Sequence, residues 1–315
     1  MDILPKPKIQ FYKVRTFNEK MNVTFDFLRE NLKPLLKFSL YVILPLCLIQ
    51  SFCMDSFMRL YLDALSSESD GGDVTDIAST AGRYGLLILC TLFGSILLSA
   101  LVYSLLQTYE RRDERLQGLV FADFKALFRA NCIKVARIML FVFAVVMASA
   151  IVVSLLAWVS PWTLIVTLLL LLGGLIAFMI PFTLLTPLYL FEDLPFAAAL
   201  RKSVRYGFSA WGETFLVMLV FGLLANILGS VTSLPWTFVT IIGSVFSLLS
   251  SDAGVTSALW YRFLTYILGV LTAYGTYVSM IISVGGMAFQ YFHLREKKEG
   301  VTMKTDIANF DRLSP

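Results

Sequence analysis

A row of small and hydroxyl-bearing residues runs through the last long apolar stretch of the chain, between Trp260 and His293. Its members recur at alternating spacings of 4 and 3 residues, the heptad spacing of a helix–helix seam: Thr265, Gly269, Thr272, Thr276, Ser279, Ser283 and Gly286. Lipid tails give helices no hydrophobic reason to associate, so close backbone approach must join them. We therefore predict helix packing along this row. The alternative is a polar cavity or path, to which Tyr266, Tyr274 and Tyr277 would add hydroxyls.

The residues that could carry acid–base, nucleophilic or metal chemistry are few. The chain has one histidine, His293, and four cysteines without a C-x-x-C pair. No Asp, Glu, Lys or Arg falls near the middle of an apolar run, where ion-coupled and proton-coupled transporters place one. No phosphate loop, dinucleotide turn or nucleophile–base pair is evident. We therefore predict that the protein is not an enzyme and has no catalytic residue, no metal site and no cofactor.

Composition and hydropathy indicate a membrane protein. Of the 315 residues, 57% are hydrophobic and 15% charged, and the mean hydropathy is +0.75, whereas soluble domains carry about 25% charged residues. Several apolar runs approach the roughly 20 residues that cross a bilayer as a helix. These runs do not alternate as barrel strands do. The prediction is an all-α, polytopic membrane protein with a single transmembrane domain over residues 1–315.

The distribution of basic residues predicts the topology. We expect six transmembrane helices, at about 35–57, 84–107, 138–158, 163–190, 214–231 and 260–293. With both termini in the cytoplasm of a bacterium, 23 of the 26 Lys and Arg residues lie on the inner side of its cytoplasmic (inner) membrane. The cytoplasmic parts are an amphipathic N-terminus (1–34), the loops and a tail (301–315), and an acidic outer loop covers 58–83. Because the basic residues are spread over loops, the net charge of +4 does not indicate nucleic acid.

One apolar segment, residues 237–249, does not fit this count. Its 13 residues are too few for an ordinary span and are typical of an interfacial or re-entrant segment. A seventh span would also place Arg295, Lys297 and Lys298 on the outer side. We therefore predict a short helix on the outer side that leans on the bilayer or dips into it.

Three amphipathic helices are predicted on the cytoplasmic side, each before an outward-going span. The first has an apolar face made of Phe17, Met21, Phe25, Leu28 and Leu32. Each helix contains a four-residue pattern, which we call the tetrad. Its first residue is Leu or Phe, its second is Arg, its third varies, and its fourth is an amide or hydroxyl residue. The tetrads are residues 28–31 (LREN), 128–131 (FRAN) and 200–203 (LRKS).

The recurrence of the tetrad favours three helix–hairpin repeats. The alternative is that cytoplasmic interfacial helices commonly carry such residues. In the repeat hypothesis Arg29, Arg129 and Arg201 contact anionic lipid headgroups at one membrane depth.

Two stretches resemble a known family. Residues 187–192 (PLYLFE), 199–203 (ALRKS), Gly207 and Trp211 form the first, and residues 291–300 (YFHLREKKEG) form the second. They resemble the multi-pass bacterial proteins related to the glycerophosphodiester phosphodiesterase membrane domain. The resemblance implies six spans with interfacial helices and no assigned activity. In some relatives a soluble phosphodiesterase barrel follows; only 15 residues follow Gly300 and there is one histidine, so we expect neither the barrel nor its histidine-dependent chemistry.

Two hypotheses of function remain at this stage. The first is a non-enzymatic scaffold or accessory protein associated with membrane lipids, with a protein partner or a homo-oligomer left open. The second is a permease or a transporter of lipid or neutral solute that uses the polar row of the last helix. A tightly filled bundle favours the first hypothesis, whereas a wide, hydrated cavity, two-ended or laterally open, that touches Thr272, Thr276 and Tyr277 favours the second.

Overall fold

The computed structural model describes residues 7–66, 74–157, 161–250, 258–304 and 307, and these residues are almost entirely helical, with no strand among them. We number the helices in chain order: α1 (Phe17–Glu30), α2 (Leu32–Ser66), α3 (Val74–Arg111), α4 (Phe121–Ala157), α5 (Pro161–Phe191), α6 (Phe196–Ser209), α7 (Trp211–Ser250) and α8 (Leu259–Glu299). Gly300, with a φ of 57°, ends α8. The predicted all-α fold is confirmed.

Six of these helices, α2, α3, α4, α5, α7 and α8, are long and apolar enough to cross a membrane, as predicted. Prolines lie inside three of them without ending the helix, for example Pro45 in α2 and Pro235 in α7. Proline removes one backbone hydrogen bond from a helix. In lipid no water competes for the other backbone N–H and C=O groups, so the rest of the helix keeps its hydrogen bonds. A proline in an apolar run is therefore a weak boundary signal in this chain.

The predicted amphipathic helices differ in how they are built. The first and third are separate helices, α1 and α6. The second is wrong as a separate element, because α4 runs without a break from Phe121 through the tetrad into the span. No proline or glycine lies between residues 121 and 157, so the sequence contains no residue that would break the helix there.

Two predicted boundaries also change. The segment 237–249 is not a separate helix, since it continues α7, which extends from Trp211 to Ser250. The predicted acidic outer loop (58–83) is largely helical, because α2 continues to Ser66 and α3 begins at Val74. Residues 58–66 contain good helix formers such as Met, Leu and Ala. Residues 67–73 lie outside the described residues. So do residues 305, 306 and 308–315 of the predicted cytoplasmic tail.

The described chain divides into two compact units. Unit 1 comprises residues 1–32, 100–221 and 283–315, and unit 2 comprises residues 33–99 and 222–282. The core of unit 1 is aromatic. Phe11 stacks on Tyr109 and Phe292 with centroid distances of 5.5 and 4.7 Å, and Phe27 and Phe289 meet it edge-on. This cluster holds the N-terminal segment against α1, α3 and α8.

Unit 2 packs through small residues. A Cβ added at Gly94 would collide with the Tyr277 ring, and one added at Gly275 would collide with the Thr232 side chain. The backbones therefore approach more closely at these positions than alanine would allow. This is the mode of association expected where lipid removes the hydrophobic driving force.

Candidate functional site

The predicted seam of α8 lies at helix contacts over most of its length. Thr265, Gly269, Thr272, Ser279 and Gly286 are buried, and Ser283 is half-buried. In unit 2 the Ser279 hydroxyl lies 3.2 Å from the position that a Cβ at Gly229 would take. In unit 1 Gly286 lies against the Phe221 ring.

Thr276 is the member of the row that does not face inward. Its side chain is exposed, and its hydroxyl donates to the Thr272 carbonyl on the same helix at 2.9 Å. The inward positions beside it are taken by Gly275 and Tyr277, which are buried.

The three tyrosine hydroxyls proposed as a polar lining are occupied by contacts within unit 2. Tyr277 donates to the Gln50 amide oxygen at 3.1 Å, and Tyr266 donates to the Leu48 carbonyl at 3.2 Å. The Tyr274 hydroxyl lies 2.9 Å from the Ser39 hydroxyl. These bonds tie α8 to α2, which is what helix packing requires.

The three tetrads share one pattern of exposure. In each, the arginine (Arg29, Arg129 or Arg201) is exposed and forms no ion pair with the carboxylates that the structure describes. In each, the fourth residue is buried: Asn31, Asn131 and Ser203. Asn131 donates to the Ser104 hydroxyl and the Gln107 amide oxygen, both at 2.8 Å, and Ser203 donates to the Pro181 carbonyl. The pattern is therefore an anchored polar residue with an exposed cation two positions before it.

The C-terminal part of α8 carries a compact ionic cluster in unit 1, which we call the Glu192 cluster: Glu192, Lys202, Arg295 and Glu299. Lys202 Nζ lies 2.6 Å from Glu192 Oε2 and also pairs with Glu299. Arg295 Nε lies 3.4 Å from Glu299 and 3.5 Å from Glu192. Two cations thus face two carboxylates, and the formal charge of the cluster is zero.

Tyrosines complete the Glu192 cluster. Tyr291 donates to Glu192 at 3.0 Å, Tyr206 donates to Glu299 at 2.5 Å, and Arg295 donates to the Tyr12 hydroxyl at 2.9 Å. Burial raises the pKa of Tyr12 to about 12, although the nearby Arg295 opposes the shift. Burial, together with donation to the Glu299 carboxylate, also raises the pKa of Tyr206. Both phenols therefore remain protonated at physiological pH.

A second polar group on the neighbouring face of α8 surrounds a cavity of about 390 Å³, which we call the Glu213 cavity. Arg15, Lys20, Glu213, His293 and Lys297 line it, together with Val14, Thr16, Phe17, Glu19 and Leu216. Lys20 is 1% exposed, and its Nζ donates to Glu213 at 2.6 Å and to the Gln290 amide oxygen at 2.8 Å. Glu213 also lies within 3.5 Å of Lys297 Nζ. One carboxylate is therefore shared by several cationic or donor groups.

His293 in this cavity is held in one tautomer. Its Nδ1 accepts the Arg15 backbone N–H at 3.0 Å, so the proton of the neutral ring lies on Nε2. Nε2 is 2.8 Å from Glu213 Oε1, but the direction is poor, and Nε2 has no hydrogen-bond partner among the described residues. His293 thus contributes a buried N–H donor that lacks a well-directed acceptor.

Arg15 is buried and forms no ion pair with a carboxylate among the described residues. Its guanidinium donates to the carbonyls of Phe11, Lys13 and Gln10, and it lies 5.9 Å from the Phe289 ring centroid. These groups satisfy its N–H bonds but do not neutralise its charge. Burial lowers the pKa of Arg15, while the Glu19 charge opposes the shift. The side chain remains charged, because arginine starts from a pKa far above neutrality.

The sequence did not point to the Glu213 cavity. Lys20 and Glu213 are 193 residues apart, and the predicted faces of α1 give Lys20 no inward role. The structure leaves the polar residues of α1 such as Asn22 and Asp26 exposed and buries a flank of the helix, through Lys20, Thr24 and Phe27. A usable signal was the i, i+4 pair of His293 and Lys297 at the end of the last helix, in a chain with no other histidine.

Comparison of the chain with protein-family profiles, with curated proteins and with solved structures finds no significant match in any of the three. The resemblance to proteins related to the glycerophosphodiester phosphodiesterase membrane domain therefore stays a prediction. Among the described residues, no group of three or more His, Cys, Asp or Glu side chains could hold a metal ion. What the chain does must be argued from its own residues.

Proposed function

We propose that the chain is a non-enzymatic, lipid-associated scaffold or accessory protein of a bacterial cytoplasmic membrane. Both termini lie in the cytoplasm, and Arg29, Arg129 and Arg201 hold anionic lipid headgroups. The single observation that carries the proposal is the repeated arrangement of an exposed, carboxylate-free arginine beside a buried amide or hydroxyl residue. An exposed arginine near an anionic membrane surface gains about 1 kcal/mol from the surface potential.

The apolar surface of the long helices supports the lipid association. The most hydrophobic windows of α4 and α5 are only 6% and 11% buried. Side chains such as Leu140, Ile151 and Leu170 are more than half exposed. In water such a surface would aggregate, whereas acyl chains cover it without cost.

The lipid part of the proposal is tested by native mass spectrometry of the purified protein. The variant Arg29→Gln/Arg129→Gln/Arg201→Gln removes the three cations. Its matched control is Lys13→Gln/Lys125→Gln/Lys304→Gln, which removes three exposed lysines and the same charge. We expect the arginine variant to retain about fivefold less phosphatidylglycerol per arginine lost, with phosphatidylcholine unchanged. Equal loss in both variants would contradict the proposal.

The topology is tested by labelling with a membrane-impermeant thiol reagent in a cysteine-free background. Asp70→Cys is expected to react in intact cells. Asp113→Cys is expected to react only after the cells are opened. The reverse pattern would place the arginines on the outer leaflet and end the proposal.

A permease remains the second candidate, and one observation favours it. In unit 2 the Trp236 Nε1 and Thr272 Oγ1 atoms are buried without a hydrogen-bond partner among the described residues. A hydrated path along α8 would supply water to both atoms. Reaction of Thr272→Cys with a water-soluble thiol reagent, in the same cysteine-free background, would support the permease; protection would support packing.

A further inference from the structure

The Glu213 cavity has more positive than negative charge. Arg15, Lys20 and Lys297 are cations that line it, and Glu213 pairs with Lys20 and Lys297. Glu19, at the rim, accepts hydrogen bonds from the Thr16 N–H and hydroxyl at 2.7 and 3.0 Å. With Glu19 included, three cations line the cavity with two carboxylates. Buried cations in excess over carboxylates raise the free energy of the folded state unless an anion joins them.

The N–H donors of this cavity also outnumber the acceptors that they reach among the described residues. Lys20 has three N–H donors and makes two hydrogen bonds to described residues. The His293 Nε2–H has no well-directed acceptor. Lys297 is 54% exposed, and its flexible side chain reaches Glu213 only at 3.5 Å. A tetrahedral anion with several acceptor oxygens would satisfy these donors together.

A second cavity, of about 510 Å³, adjoins the first and shares Glu213 and Lys297 with it. It is lined by Lys298 and by the first residues of α7, Trp211 and Gly212. Lys298 therefore adds a cation on this side of the site, where Glu213 is the carboxylate among the lining residues.

We propose that the Glu213 cavity binds a phosphate group, carried either by a lipid headgroup or by a small soluble molecule. Lys297 and Lys20 donate to its oxygens, Arg15 supplies charge, and Glu213 is the resident carboxylate that competes with the ligand for the lysines. Lysine and arginine form their strongest hydrogen bonds with phosphate and carboxylate oxygens. This site does not depend on the proposed function, since none of its residues belongs to the three tetrads.

The first test measures binding of inorganic phosphate to the full-length protein, delipidated and reconstituted in nanodiscs of phosphatidylcholine. The readout is the phosphate-dependent rise in unfolding temperature, with chloride at equal ionic strength as the reference. We expect Lys297→Gln to weaken binding about tenfold, because one charge-assisted hydrogen bond is lost. Lys125→Gln removes an exposed lysine outside the cavity and should bind as the wild type does. Phosphate binding that is equally strong in the two variants would overturn the proposal.

The second test removes the competitor. Glu213→Gln is expected to lower the unfolding temperature without phosphate, since buried Lys20 loses its counterion. Phosphate should restore stability, and its affinity should rise at least about tenfold, because a nearby like charge has been removed. A variant that binds phosphate more weakly than the wild type would overturn the proposal. If Glu213→Gln does not fold, the Lys297→Gln comparison still decides.

The source of the phosphate is settled by a parallel arm with lipid. Phosphatidic acid is added to the nanodiscs, and retained lipid is counted by native mass spectrometry. Binding of inorganic phosphate indicates a soluble ligand, whereas binding of phosphatidic acid alone, sensitive to Lys297→Gln, indicates a headgroup. Binding of neither overturns the proposal. The triple arginine variant keeps the Glu213 cavity. Its loss of phosphatidylglycerol tests the proposed function, and the loss of phosphate binding in Lys297→Gln tests the cavity, so either proposal can fail without the other.

Discussion

Two polar clusters lie on neighbouring faces of the C-terminal part of α8 in unit 1, and their charge balance differs. Tyr291, Arg295 and Glu299, spaced four residues apart, enter the Glu192 cluster, where two cations meet two carboxylates. His293 and Lys297 line the Glu213 cavity, where three cations outnumber two carboxylates. The same helix thus carries a neutral cluster on one face and a cationic one on the next.

The difference shows how to separate a structural cluster from a binding site in a membrane protein. Ionic groups that neutralise one another need nothing from outside, and removing one member leaves a buried charge alone. Groups with surplus charge around a cavity have a free energy that an added ion can lower. We therefore expect the Glu192 cluster to determine stability and the Glu213 cavity to determine ligand response.

The largest effect is expected for Glu192→Ala. Glu192 is 7% exposed and pairs with Lys202, Arg295 and the Tyr291 hydroxyl. Its removal leaves two cations with Glu299 as their carboxylate, which we expect to cost about 3 kcal/mol of the free energy of unfolding. Chemical denaturation in detergent micelles measures it. The neighbouring Asp193→Ala removes a fully exposed carboxylate and is the control; equal effects would make the Glu192 cluster a surface feature.

A smaller effect is expected for Gly207→Ala. A Cβ at Gly207 would lie 2.8 Å from the Pro181 Cα, so α6 and α5 would have to separate. Overpacking of this kind costs about 2 kcal/mol, and it would move Lys202 and Tyr206 away from their partners in the Glu192 cluster. Unfolding and near-ultraviolet circular dichroism check both effects. Gly212→Ala, where no atom lies within 4 Å of the new Cβ, should not destabilise. A Gly207→Ala protein as stable as the wild type would refute the close contact.

Lys20→Met tests the same comparison in the Glu213 cavity. Lys20 is as buried as Glu192, yet its loss leaves Glu213 with Lys297 and His293 and reduces the surplus of positive charge. We expect a cost of about 1 kcal/mol, well below that of Glu192→Ala, together with weaker phosphate binding. The same denaturation series measures both proteins. A cost equal to that of Glu192→Ala would mean that the two clusters play the same structural role.

The sequence predicted the long helices well, because a run of about 20 apolar residues has few other structures available to it in a bilayer. One boundary was wrong for a related reason. The short run 237–249 suggested a separate segment, but α7 passes through it. Periodicity also placed Thr276 in the seam of α8, whereas the structure leaves it exposed.

The Glu213 cavity could not be predicted from the sequence, because its members come from three distant segments. In the sequence alone, Lys20 is an ordinary lysine of an amphipathic helix, Glu213 is a first-turn acid and His293 is a lone histidine. The expected faces of α1 also hold only in part, because its polar residues are exposed but a flank of the helix is the buried side. The helix packs against its unit through Lys20, Thr24 and Phe27, and its apolar stripe, including Phe25 and Leu28, is only half-buried.

The smallest effect is expected at the start of α1, which carries Lys20 into the Glu213 cavity and contributes nothing to the Glu192 cluster. The Glu19 carboxylate accepts hydrogen bonds from the Thr16 N–H and hydroxyl, and these lower the pKa of Glu19 below its ordinary value of 4.5. The folded state thus favours the charged carboxylate. Its contribution is complete above pH 4.5 and is lost as the pH falls through the folded pKa. Glu19→Gln should flatten the decline of the unfolding temperature in that range and Glu114→Gln should not; a wild-type slope in both variants would show that the cap does not support the cavity.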